Sequence, residues 1–205
     1  MFIDARTVSE QDIISTDICI IGAGPAGLSM AMELYGGEAS VCLLESGDID
    51  FHQDTQSLSD LETVGEFFPI GPDTRRRQFG GTANCWPVNL DQKGWGVRYV
   101  PLDDIDFEQR DWVPYSAWPF GRKELDPFYE RAQVMCQSGP FLYDVEDWET
   151  AAAPRLPLKP EDVVTGMFQF GPRDAFTYEY QRSLRNAPNI TTYTFANVVE
   201  LETDE

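Results

Sequence analysis

The sequence predicts an α/β fold built on a parallel sheet. Three observations carry this expectation. Two short apolar runs, 17–22 and 41–45, flank a segment of helical character. A third run, 190–195, has similar β-branched content. A Gly-x-Gly-x-x-Gly turn joins the first run to the helix.

In chain order, residues 1–15 read as a short polar lead. The run Asp17-Ile18-Cys19-Ile20-Ile21-Gly22 has the length and composition of a strand buried on both faces. Residues 25–35 read as a helix, with Pro25 tolerated in its first turn and Gly36-Gly37 stopping it. Residues 41–45 form the second strand, so the strand–helix–strand unit fits within roughly 30 residues. Residues 48–120 are rich in Gly, Pro, Asp and Trp without a sustained period, and read as long ordered loops. Residues 123–137 are helical, with Asp126 as N-cap before Pro127 and with Phe128, Ala132 and Met135 on one face. Residues 144–165, with Pro154, Pro157 and Pro160, read as a surface linker. A helix at 174–186 carries Phe176, Tyr180 and Leu184 at a four-residue spacing, and strands follow at 190–195 and 197–202.

Composition narrows the function classes. The 205 residues hold 35 acids against 15 Lys and Arg, a formal charge of −20, with one histidine. This charge opposes nucleic-acid and anionic-membrane binding, which need a basic surface. No apolar run reaches the ~18 residues of a transmembrane helix. The N-terminus carries no apolar signal segment. Cysteines at 19, 42, 85 and 136 form no CxxC pair, so a metal centre is not expected and a reducing, cytoplasmic setting fits. Cys19 and Cys42 read as buried thiols in strands.

Gly22-Ala23-Gly24-Pro25-Ala26-Gly27 follows a strand and opens a helix, the context its chemistry needs. The first glycine permits a tight turn, the second lets backbone approach a pyrophosphate, and the third lets helix and strand pack closely. The helix mouth then offers free amides and partial positive charge to phosphates. Glu45 stands 23 residues after Gly22, where an acid can accept hydrogen bonds from a ribose. This makes the fold Rossmann-like and the turn dinucleotide-binding, without choosing between FAD and NAD. The plainer alternative is a glycine turn with no ligand.

Residues 7–74 contain no Lys or Arg and 13 acids; Arg75, Arg76 and Arg77 then precede Gln78-Phe79-Gly80-Gly81-Thr82-Ala83-Asn84-Cys85-Trp86. The arginines suit phosphates or the acids of the first strands. Gly80 and Gly81 let backbone pass flush against a flat ligand, Thr82 and Asn84 offer donors, and Trp86 offers an apolar wall. A solvated arginine patch beside an ordinary turn is the alternative.

Taken together, GAGPAGLSMAMEL, LLESG, RRRQFGGTANCW, SAWPFGRKELDPFYERA and NITTYTFANVVELE resemble the glucose–methanol–choline oxidoreductases. The likeness is greatest to the branch with pyranose oxidase and the sugar and gluconate dehydrogenase flavoproteins. It runs from about residue 16 to the end. The resemblance implies FAD, bound noncovalently because Cys85 stands where some relatives carry a flavin-linked histidine. Gly22, Gly24, Ala26 and Gly27 hold the pyrophosphate in this reading, with Pro25 in the same turn. Glu45 holds the adenosine ribose beside Ser46. Gly80, Gly81 and Thr82 lie along the pyrophosphate and flavin. Asn84, Cys85 and Trp86 approach the isoalloxazine, Val198 sets backbone against adenine, and Arg77 completes the cofactor-binding set.

The family oxidises a CH–OH carbon of an alcohol or sugar and passes a hydride to flavin N5. Relatives carry their substrate domain and catalytic His after the region covered here. His52 matches no catalytic position, so no catalytic residue is assigned. The expectation is therefore a partial FAD-binding domain over 16–205 that needs a missing C-terminal half. Strands 17–21, 41–45 and 190–195 should lie in the order 3-2-1, leaving the first as an exposed edge. Two other functions compete with this one. A non-catalytic or split flavin-binding module would be completed by another chain. An NAD-dependent dehydrogenase gives the Arg-Gly-Gly-Thr-Asn-Trp segment no role. The alcohol and the electron acceptor stay open.

Overall fold

The structure, a computed structural model, describes residues 1–66, 71, 73–159 and 161–203. Pro160 of the expected linker lies outside the described residues. In chain order the elements are β1 (Phe2–Asp4), β2 (Ile18–Ile21), α1 (Pro25–Glu33), β3 (Val41–Leu44), α2 (Gln53–Ser57), β4 (Pro87–Asn89), β5 (Trp95–Tyr99), α3 (Asp126–Cys136), β6 (Gln169–Pro172), α4 (Tyr180–Arg185) and β7 (Ile190–Thr194). The chain divides into two compact units, Met1–Pro87 with Arg173–Glu205, and Val88–Pro172.

The first unit is mixed α/β around a four-stranded parallel sheet, ordered β1-β7-β3-β2. This differs from the expected 3-2-1. The three expected strands do lie as β7-β3-β2, but residues 2–4, read as a polar lead, add β1 beside β7. Three residues are too few to show a period, and pairing with β7 decides the strand: the Met1 ammonium donates to Ile190 O at 2.9 Å, and Thr192 N–H donates to Met1 O at 2.8 Å.

The apolar runs place Ile20, Leu43 and Ile190 in the core, with Leu28 and Ala31 of α1 and Leu184 of α4 also buried. Helix α1 starts with Gly24 as N-cap and Pro25 at its first position. Its end is tied by Asn189, whose Nδ2 donates to Leu34 O and Ala39 O at 2.9 Å each. The Asn189 Oδ1 accepts from Gly36 N–H, also at 2.9 Å. The 174–186 helix opens with a wide π turn at 175–179, where Glu179 N–H reaches Asp174 O, before tightening into α4.

Among the described residues β2 pairs on one side alone. Ile20 faces α1, and alternation turns Cys19 and Ile21 to the other face, leaving Ile21 52% exposed. Cys19 is therefore exposed, contrary to expectation, while its in-register neighbour Cys42 is buried. Burial, and then the adjacent Cys19, push the Cys42 thiol up to about 11. The expected strand 197–202 does not form. Phe195 takes a positive φ of 56° and Val199 and Leu201 point to solvent, since a strand needs a neighbour to satisfy its backbone.

In the second unit, β4, β5 and β6 form a three-stranded sheet, with β5 and β6 antiparallel. The composition of 87–99 hid two of these strands among loops. Helix α3 is led in by a 3₁₀ turn at 122–125, so Asp126 sits inside the helix and is not its N-cap. Glu124 accepts instead from the Gly121 N–H at 3.2 Å. Phe128 and Ala132 are exposed; the residue that α3 buries is Gln133. No helix among the described residues is long and apolar enough to cross a membrane.

Candidate nucleotide-binding site

The turn between β2 and α1 has the backbone that its three glycines predict. Gly22 takes φ +96°, and its N–H donates to Leu44 O at 2.7 Å, locking the turn to β3. A Cβ on Gly27 would stand 1.9 Å from Gly22 O and 3.2 Å from Ile20 Cγ2, so only glycine lets α1 pack this close to β2. The first helical bond runs from Leu28 N–H to Gly24 O at 2.9 Å. The amides of Gly24, Ala26 and Gly27 therefore have no intrahelical acceptor and stand at the positive end of α1.

The second glycine loop lies directly against this turn. The Gly80 N–H donates to Ala23 O at 2.8 Å. Gly80 and Gly81 have φ of 86° and 52°. A Cβ on Gly81 would approach Gly24 Cα to 3.0 Å. The loop after β3 closes the third side. A Cβ on Gly47 would meet Arg77 O at 2.2 Å, and Phe79 N–H donates to Asp48 O at 2.9 Å. Three chain segments thus meet backbone to backbone, with Phe79 buried beneath them. Asp48 and Gln78, whose Nε2 donates to Ile49 O at 2.7 Å, were given no role from the sequence. The glycine directly after Glu45-Ser46 was the signal that pointed to them.

The side chains divide into those that build this junction and those that face outward. Glu45 is 4% exposed, and its carboxylate accepts from Ala23 N–H and Gly47 N–H at 2.8 Å each and from Ser46 Oγ at 3.3 Å. These bonds hold the glycine turn and the third segment together from inside. Gln56 Oε1 accepts from Arg77 N–H at 3.0 Å, and an Arg77 Nη2 donates to Asn197 Oδ1. The Arg77 Nε is buried with no hydrogen-bond partner. Arg76 leans on the Phe51 ring, 5.1 Å from its centroid, and pairs with Asp73 at 3.6 Å, while Arg75 is exposed. The run thus splits three ways rather than forming one patch.

Asn84 spends its Nδ2 on Phe79 O at 3.0 Å and Gly81 O at 2.8 Å, so it braces the loop. Burial pushes the Cys85 thiol up, outweighing the pull of Arg76. Pro25, Ser46 and Thr82 are half-buried, whereas Ala26 and Trp86 are exposed. Val198 is exposed outside any strand, one residue from the Asn197 that Arg77 holds. His52 is exposed and meets Phe195 edge-on at 5.0 Å.

The arrangement fits a dinucleotide diphosphate on two counts: a cradle that a Cβ at Gly81 or Gly24 would begin to fill, and an orphaned buried donor at Arg77 Nε. No group of three or more His, Cys, Asp or Glu suited to a metal occurs among the described residues. No protein-family model matches the chain, and no curated protein does.

Proposed function

We propose that the first unit is the FAD-binding part of an oxidoreductase that acts on CH–OH groups of an alcohol or sugar. The observation that carries the reading is the meeting of the two glycine segments at Gly24 and Gly81, beside amides of α1 that lack acceptors. The amides of Gly24, Ala26 and Gly27 would bind the diphosphate, with the Thr82 hydroxyl beside them. Arg77 would supply a cation through its unpaired Nε. Glu45 acts through the backbone it holds, since most of its acceptor capacity is already used within the chain. When bound, FAD supplies the acceptor for a hydride leaving the alcohol carbon. The residues of this chain would position the group. A proton acceptor for the hydroxyl is a further requirement. The Asn84 amide is not basic and burial raises the Cys85 thiol, so neither serves as that base at neutral pH.

The same observations favour a second reading, a nucleotide-binding module whose chemistry is completed elsewhere. Titrating the chain with FAD and following quenching of flavin fluorescence tests the binding claim. We expect saturable quenching, weakened about tenfold or more by Gly24→Val and Gly81→Val through steric filling of the cradle. Equal binding of FAD by wild type and both variants would sink the site. Preference for NAD over FAD would sink the flavin. Alcohol-dependent bleaching of bound flavin separates the enzyme from the module.

A further inference from the structure

The second unit contains a cavity of about 150 Å³ whose walls include Tyr99, Tyr129, Phe141 and Tyr143. Tyr129 and Phe141 stack with centroids 5.5 Å apart and planes 12° from parallel; Phe141 and Tyr143 are 5.5 Å apart at 60°. The aromatic walls therefore stand in more than one orientation.

Two of the tyrosines are tethered by their hydroxyls. Tyr129 Oη accepts from Leu102 N–H at 3.2 Å. Tyr143 Oη accepts from Gln133 Nε2, also at 3.2 Å. Gln133 is itself 5% exposed and fixed by Pro140 O and Ser138 Oγ. The rings are thus held in place before any ligand arrives.

A neighbouring groove of about 500 Å³ shares Val100, Pro101 and Tyr143 with the cavity and is lined by Asp103, Asp104, Asp106 and Asp144. Its one arginine, Arg122, already faces Asp126 at 3.9 Å and donates to Leu102 O at 3.0 Å. Carboxylates beside aromatic faces favour a cation. The cavity offers too few oxygen ligands for a hard metal ion, which takes six or more. It is also smaller than the ~300–1,000 Å³ of a drug-sized ligand site.

We propose that this cavity binds a small, weakly hydrated organic cation, an alkylated ammonium headgroup, through cation–π attraction focused by the adjoining carboxylates. The site lies within the second unit and is independent of the nucleotide reading. The test is an NMR titration of the full chain with tetramethylammonium chloride at fixed ionic strength, following aromatic ring protons. The expected result is saturable shifts of Tyr129, Phe141 and Tyr143 resonances, with neopentyl alcohol, a neutral molecule of like shape, binding about tenfold more weakly. Tyr129→Leu should weaken binding about fivefold or more, whereas Tyr129→Phe, which keeps the ring, should not. Should Tyr129→Leu fail to fold, Phe141→Leu takes its place. Equal affinity for neopentyl alcohol would reduce the cavity to an apolar pocket and overturn the proposal. Identical shifts with sodium chloride would reduce it to a diffuse acidic field and overturn it as well.

Discussion

The two units of this chain reach order by different means. In the first, chain segments approach so closely that backbone meets backbone, and glycines at 27, 47 and 81 make the contact possible. In the second, polar side chains occupy the interior. Gln133, Ser138 and Gln169 are all buried, and Gln169 Nε2 reaches Pro140 O and Leu142 O at 2.7 Å each. The glycine junction of the first unit depends on the absence of side chains and the interior of the second on satisfied amides, although Glu45 and Gln56 are also buried in the first and Gly171 packs tightly in the second. Mutations should therefore fail differently in the two. An intruding methyl acts through sterics, whereas a lost amide leaves buried carbonyls without donors.

The largest effect is expected where the first mode is violated outright. Gly27→Ala places a methyl 1.9 Å from Gly22 O and should cost about 3 kcal/mol, at the upper end of overpacking changes, or prevent folding of that unit. Urea unfolding followed by circular dichroism reads this directly. The second unit offers a matched challenge, because a Cβ on Gly171 would stand 2.0 Å from Cys136 O. Gly171→Ala should loosen the aromatic cavity yet leave FAD affinity within about twofold, since the substitution falls in the other unit and independent sites add. If it abolishes FAD binding, the two units are not independent and the comparison breaks.

Next in size is Gln169→Leu, which removes a donor from two carbonyls. It should destabilise the second unit by about 1–3 kcal/mol. Amide exchange should rise at β5 and β6 and not at β2 and β3. Uniform loss of protection across both sheets would mean one cooperative unit.

The smallest effect concerns pH. The folded Cys42 thiol lies at about 11 against an ordinary 9.0, raised chiefly by burial. Between those values the unfolded chain has lost the proton that the folded chain keeps. Stability should thus fall as pH rises through that window and be unaffected below it. Cys42→Ala should flatten this slope. A thiol reagent at pH 8 should modify exposed Cys19 before Cys42, and the reverse order would contradict the sheet register.

Much of the first unit was legible because its signals are local. The run 18–21, the helix from Pro25 and the strand at 41–44 each carry a period or a punctuating residue within a few positions. The glycine motif could be read for the same reason, since Gly22 and Gly27 serve backbone needs within six residues. Strand β1 was not legible, because Phe2–Asp4 becomes a strand through β7, nearly the whole chain away. The segment 197–202 shows the converse. Its composition suits a strand, but a ladder requires a neighbour, and its side chains face solvent instead.

Residue roles divide along the same line. The sequence by itself determined that a strand, a tight turn and a helix mouth would form at 18–33, because steric freedom at glycine and proline's fixed φ act locally. Only the tertiary structure decided that Glu45 would turn inward to hold two backbone amides, and that Asn84 would brace its own loop. It also decided that four aromatic rings between 99 and 143 would enclose a space. Hydrogen bonds and cavities of that kind depend on which segments the whole chain brings within three or four ångströms, and no short window of sequence encodes that.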